Sequence, residues 1–391
     1  MEQHSQSIIY IVFLIFTGTA ILSTLALYTR QSLLVAYILL GAMIGPWGLG
    51  LVSDSNLIKQ TGDIGIIFLL FLLGLHLHPQ DLFHSLKKMS WITFASSTIF
   101  LFVGFFVGLF FHFTTMECLI IGISMMFSST IIGLKLLPTT ILHHQHTGEL
   151  MISILLLQDL IAIGALLFLQ VFSDRVLTVY EIALVIFAFP ILILIAYLFE
   201  RYLLAKLLMK FDKIHEYIFI LSIGWCLCMA ELAHQLGLSE EIGAFIAGVA
   251  LATHPISLYI AESLKPLRDF FLVMFFFTIG AGFHFDYLPQ IALPAVIIAA
   301  FMLVIKPYTF SWLLHKSGET KSVGFEVGVR LGQISEFSLL IVYLAMQTNL
   351  VSAKMSYMIQ AATILTFFVS CYWVVLRYPT PVASSDKLRR D

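Results

Sequence analysis

A chain of 391 residues that is 60% hydrophobic and only 11% charged cannot cover itself with a water-soluble surface, for which about 25% charged residues are usual. Its mean hydropathy of +0.97 and 35 phenylalanines supply lipid-facing and packing surface for one membrane bundle, an all-α polytopic membrane protein. The net charge of −2 and the lack of a basic tract exclude a nucleic-acid partner.

The N-terminal MEQHSQS has no basic stretch of the signal-peptide kind, and the apolar run that follows is long enough to span rather than be cleaved. A hydrocarbon core of about 30 Å takes about 20 apolar residues per helix. By that measure the chain divides into about 13 transmembrane helices, at 8–28, 32–51, 57–75, 90–112, 115–137, 149–172, 177–199, 216–236, 239–253, 266–283, 290–314, 322–346 and 354–376. Alternating the loops gathers sixteen Lys and Arg on one side and leaves Lys59, Arg175 and Lys354 on the other, while Lys306 and Arg330 fall inside spans. Positive charge is retained in the cytoplasm, so the N-terminus is expected outside and the C-terminus, with a short tail at 377–391, inside.

An odd number of alternating spans fits two six-helix halves of opposite topology joined by a linker helix at 177–199. The fifth span carries the polar interruption Phe127-Ser128-Ser129-Thr130, and the twelfth carries Gly332-Gln333-Ile334-Ser335-Glu336-Phe337. They are the fifth spans of their respective halves. Corresponding broken helices point to a transport site.

Charge inside a bilayer is costly, so an intramembrane ionisable group is a functional candidate by default. Asp159 stands about ten residues into LMISILLLQDLIAIGALLFLQV, near the midplane. A buried carboxylate there can hold either a proton or a cation, and competition for it is the simplest basis of exchange. Gln158 either offers an amide oxygen to a dehydrated cation or faces a neighbouring helix, since successive helical residues point about 100° apart. Ser128, Ser129 and Thr130 either supply hydroxyls and freed carbonyls or bond back to the preceding turn. Gln333, Ser335 and Glu336 occupy the matching interruption. Lys306, followed by Pro307, is expected as charge compensation for Asp159 or for the broken-helix ends, with snorkelling to the interface as its alternative. Arg330, four residues after Glu326, fits a helix-face ion pair and charge compensation rather than substrate binding. Asp63 and Glu231 lie near helix ends, where solvated or capping roles are commoner.

The histidines gather on the expected cytoplasmic side, His76, His78 and His84 in one loop and His143, His144 and His146 in another; a pH sensor or a solvated loop would each suit them. Cys118, Cys226, Cys228 and Cys371 form neither a CxxC pair nor a zinc spacing and read as buried thiols. No HExxH or GxSxG constellation suggests an enzyme, and no cofactor is expected.

The stretches AYILLGAMIGPWGLG, FLLFLLGLHLHPQDL, MMFSSTIIGLKLL, ILLLQDLIAI, EEIGAFIAGVALA, FLVMFFFTIGAGFHFD and GVRLGQISEFSLLI resemble, in order, the transmembrane domain of Kef-type potassium:proton antiporters of the second monovalent cation:proton antiporter family. The resemblance implies a sodium/proton antiporter-like fold, with an inverted repeat and two crossed discontinuous helices over residues 1–376. Helices 1–3 and 8–10 would form a dimerisation part, and helices 4–6 and 11–13 a core that moves against it. It also implies exchange of K+, or of Na+, for H+ by alternating access at Asp159. A passive cation channel or a sodium-coupled organic-solute carrier is the alternative. The setting implied is a lipid bilayer, a bacterial inner membrane, with the protein a homodimer that a separate cytoplasmic regulatory subunit could control. Two departures stand out. No GxGxxG nucleotide-binding domain is present in this chain, and His76 stands where the family carries an acid.

Overall fold

The computed structural model describes residues 8–52, 55–76, 79–137, 146–171, 179–211, 214–252 and 257–380. The first half consists of α1 (Ile8–Tyr28), α2 (Leu33–Ile44), α3 (Ser55–His76), α4 (Pro79–Phe110), α5 (Thr115–Met125), α6 (Thr130–Lys135) and α7 (His146–Val171). Next come α8 (Val179–Phe199), which runs into a π-helical turn at Glu200–Leu204, and the short α9 (Ala205–Lys210). The second half consists of α10 (His215–Gln235), α11 (Glu240–Ala252), α12 (Ser257–Ser263), α13 (Lys265–Ala281), α14 (Leu288–Lys316), α15 (Lys321–Arg330), α16 (Glu336–Gln347) and α17 (Ala353–Arg377).

Among the described residues seven helical stretches are long and apolar enough to cross a membrane by themselves. Other expected spans appear as shorter apolar helices such as α2 and α16. The second expected span stops at Ile44, because the GPWGLG stretch turns: Gly50 takes φ of 64°. Many helix starts carry local caps. The side chains of Ser32, Thr320, Ser335 and Ser352 each accept from a backbone N–H of the first turn that follows.

The repeat is visible in the packing. α2 packs on α13 as α11 packs on α3; α4 packs on α5 and α7 as α14 packs on α15 and α17; α1 packs on α2 as α10 packs on α11. Each of these packed pairs in the first half thus has a counterpart in the second half, as an inverted repeat requires. Glycines set two matching close approaches. A side chain at Gly280 would run into the Ile38 carbonyl of α2, and one at Gly248 would run into the Phe71 carbonyl of α3. Such small-residue contacts drive helix association in lipid, where hydrophobic burial gives no advantage. The helices therefore pack as two groups, α2, α3, α11 and α13 in one, α4 to α7 and α14 to α17 in the other.

The expectation of four buried thiols is corrected at one position. Cys226 is buried, whereas Cys228, about 200° further round α10, is exposed.

Candidate functional site

Both polar interruptions are real breaks in helices. The chain leaves helical geometry after Met125 and resumes at Thr130; it leaves again after Arg330 and resumes at Glu336. Ser and Thr hydroxyls compete for backbone groups, and here they take over from the missing helical bonds. The Ser128 hydroxyl donates to the Leu331 carbonyl at 2.8 Å, the Gln333 amide donates to the Ser129 carbonyl at 3.3 Å, and the Ser338 hydroxyl donates to the Ser124 carbonyl. These bonds tie the two breaks together at a crossing.

Each break presents two backbone ends of opposite polarity. The carbonyl ends of α5 and α15 meet Lys306, which is fully buried. Its Nζ donates to the Phe127 carbonyl at 2.6 Å, the Gln333 carbonyl at 2.9 Å and the Ser128 hydroxyl at 3.3 Å. The Phe100 ring centroid lies 5.4 Å from it. Lys306 therefore lies inside the crossing, among the carbonyl ends of α5 and α15.

The amide ends of α6 and α16 face the carboxylates. Glu336 accepts from the Ile131 N–H at 3.2 Å, while Ser129 Oγ accepts from the Ile132 N–H at 3.1 Å. Asp159, only 2% exposed, receives Thr130 Oγ1 at 3.3 and 3.4 Å from its two oxygens. Asp159 and Glu336 are thus both bonded to the start of α6, through Thr130 and the Ile131 N–H. The second Glu336 oxygen, Oε2, is buried, with no hydrogen-bond partner among the described residues.

Of the two uses open to Gln158, the structure shows the backbone one. Its amide oxygen accepts from the Ser128 N–H at 3.0 Å and its amide nitrogen donates to the Met126 carbonyl at 3.1 Å, so it replaces a peptide partner for the unwound chain. Gln333 is equally occupied, its side-chain oxygen accepting from the Ser370 hydroxyl at 3.0 Å. Ser335 caps α16 through the Phe337 N–H at 3.1 Å. Arg330 stands apart from the crossing's carboxylates. It pairs with Glu326 at 2.9 Å and donates to the Leu136 and Pro379 carbonyls at 3.2 and 3.0 Å, fastening α15 to the end of α6 and to the chain after α17.

Sequence reasoning passed over several groups. Thr366 accepts from the Ile334 N–H at 3.1 Å, and Glu117 bridges the starts of α5 and α17. The Thr-x-x-Glu capping pattern at Thr114 was the available signal for Glu117. Glu231 is exposed and accepts from Gln235 on its own helix, but Asp63 accepts from Tyr343 Oη at 3.3 Å. His146 lies 2.7 Å from Glu319 and 3.6 Å from Glu149; the side chains of His76 and His84, and His78, His143 and His144 entirely, lie outside the described residues.

The comparisons with known proteins bear on the family and the fold of the whole chain. The description sodium/hydrogen exchanger, transmembrane, matches residues 11–376. The chain belongs to the sodium/hydrogen exchanger family. The solved structure of the sodium proton antiporter MjNhaP1 from Methanocaldococcus jannaschii has the same fold, with a TM-score of 0.67, 16% identity, and coverage of 94% of this chain and 95% of that one. A protein of Paramagnetospirillum magneticum described as iron transporter MagA is 25% identical over 359 residues, 88% of this chain and 80% of the relative. The chain is thus a multi-pass membrane transporter of a cation:proton antiporter family, whose substrates are a cation and a proton.

Proposed function

We propose that this sodium/hydrogen exchanger family member exchanges a monovalent cation, K+ in preference to Na+, for H+ by alternating access at Asp159. One observation carries the reading. Among the described residues neither Asp159 nor Glu336 has a Lys or Arg partner, since Lys306 is spent on carbonyls and Arg330 on Glu326. Two buried carboxylates without a protein cation must draw positive charge from outside, as a proton or a metal ion. Thr130 Oγ1 and the Glu336 Oε2 atom complete an all-oxygen donor set suited to a hard cation. Gln158, Ser128, Ser129, Gln333, Ser335 and Lys306 hold that set in place, and Arg330 steadies the end of α15. The iron named for the MagA relative is the competing cation, and the test below includes it.

In this reading α4 to α7 with α14 to α17 form the core, and α1 to α3 with α10 to α13 form the dimerisation part of a homodimer. The core shifts against that part to expose Asp159 to each side in turn, with the Arg30 side cytoplasmic.

The test is proteoliposome exchange followed with a pH dye while K+, Na+, Li+, Rb+ and Fe2+ are added in turn. Cation-evoked proton flux that Asp159→Asn abolishes is the expected result. Wild-type flux in Asp159→Asn overturns the mechanism, and cation flux without coupled proton movement would make the protein a channel.

A further inference from the structure

The Tyr343 to Asp63 bond joins the two groups of helices, and nothing in the ion-binding reading uses it. Tyr343 lies on α16 seven residues after Glu336, which is two helical turns on, nearly the same face and about 10 Å along the axis. That line leads from the crossing toward the side opposite Arg30. Asp63 sits in the first half of α3, on the same side, and accepts from Tyr343 Oη at 3.3 Å. The bond is seated in a fixed frame: Phe275 of α13 meets the Tyr343 ring edge-on at 6.5 Å and 89°, and Gln347 also reaches the hydroxyl. Between Tyr343 and Glu336 on this face, Leu339 and Leu340 are buried.

The other side of the crossing is different. A cavity of about 250 Å³ opens between the α1–α2 turn and the core, lined among others by Arg30, Gln31, Ser32, Ile131, Ile132 and Cys371. Ile131 follows Thr130, the residue in contact with Asp159. The cavity thus lies on the Arg30 side of the crossing, against the stretch of α6 that follows Thr130.

We propose that the Tyr343–Asp63 hydrogen bond is the latch that closes the Asp63-side entrance, broken whenever α16 moves away from α3 and remade on return. The proposal rests on the alternating-access reading above. A latch present in one state alone biases the population of the two states by its own strength, and apparent affinity on each side follows that population.

In proteoliposomes of known orientation, Tyr343→Phe removes the hydroxyl and keeps the ring against Phe275. The half-saturating cation concentration should fall on the Asp63 side and rise on the Arg30 side, the ratio of the two changing by about fivefold, the worth of one hydrogen bond. Asp63→Ala should do the same. Asp63→Asn retains a carbonyl acceptor for Tyr343 and should keep the ratio near that of the parent. Both sides unchanged, or both moving in one direction, would overturn the latch.

A second measurement needs no transport. Leu340→Cys, placed below Tyr343, should react faster with a water-soluble thiol reagent added on the Asp63 side when combined with Tyr343→Phe than when Tyr343 is present. Equal rates overturn the latch. If the parent shows no exchange at all while this difference in labelling appears, the proposed function fails and the latch stands.

Discussion

Thr130 and Asp159 are joined across the crossing by one hydroxyl that lies 3.3 and 3.4 Å from the two carboxylate oxygens. Thr130 is the first residue of α6, so its position is fixed by the break rather than by a continuous helix.

A hydroxyl in this place can donate to the carboxylate in the empty state and turn a lone pair to a cation in the loaded one. Thr130→Val removes both options at nearly constant shape, and the half-saturating cation concentration should rise roughly tenfold, the scale of a hydrogen bond to a charged group. Thr130→Ser should stay near the parent. Exchange titrated with cation in the two variants checks this, and equal affinity in Val and Ser variants would remove Thr130 from the donor set.

Lys306 is held by two carbonyls and a hydroxyl from both breaks at once. Replacing it with Met leaves the Phe127 and Gln333 carbonyls buried without their donor, at a cost on the order of 3 kcal/mol. The expected result is a clear fall in melting temperature in detergent, accompanied by loss of exchange because both breaks loosen together. Unchanged melting would mean that the helix ends do not need the charge.

Much of this arrangement could be read from the residues. FSST and GQISEF marked both breaks, because small hydroxyl residues and glycine interrupt otherwise apolar runs, and Asp159 stood out as a charge at midspan. Glu326 and Arg330 sit four residues apart and form the pair that their spacing allows. Partners across the fold were not legible. Gln158 and its backbone contacts are 30 and 32 residues apart in sequence, and Lys306 and Phe127 are 179 apart, so only the folded crossing decides which use each side chain serves. Asp63 looked like an end-of-helix residue for the same reason, its partner lying 280 positions away. Cys228 was misplaced because an apolar helix in lipid carries no outward polar face to mark its exposed side.

The α2–α13 contact should be intolerant of added bulk. A Cβ at Gly280 meets the Ile38 carbonyl, which is backbone and cannot move aside, whereas one at Gly224 on α10 meets nothing within 4 Å. Gly280→Ala should destabilise by about 1–3 kcal/mol as an overpacked interface, while Gly224→Ala should leave melting unchanged or slightly raised. Thermal unfolding of the pair in one detergent checks the contrast, and equal behaviour would show that the helices separate easily there.

Glu117 offers a test that separates holding the core together from handling the ion. It is 7% exposed, and its two oxygens serve two helix starts. Oε2 accepts from the Thr114 N–H and hydroxyl, both at 3.0 Å, within the capping box of α5. Oε1 accepts from the Ser352 N–H at 3.0 Å and from the Ser352 hydroxyl at the start of α17. α5 leads to the first break, and α17 supplies Thr366 and Ser370 to the second. One carboxylate thereby anchors the outer ends of two helices that position the crossing. Losing a helix cap costs about 0.5–2 kcal/mol, so Glu117→Ala, which removes one directly and weakens another, should cost roughly 1–4 kcal/mol. Glu117→Gln keeps one carbonyl acceptor but points an amide N–H2 at existing donors, and should fall between. Because Glu117 touches neither Asp159 nor Thr130 in the structure, the cation concentration for half-maximal exchange should stay near the parent's in both variants at a temperature where they remain folded. Melting curves together with cation titrations decide the matter: a large change in affinity with unchanged melting would place Glu117 on the ion's route instead of in the frame.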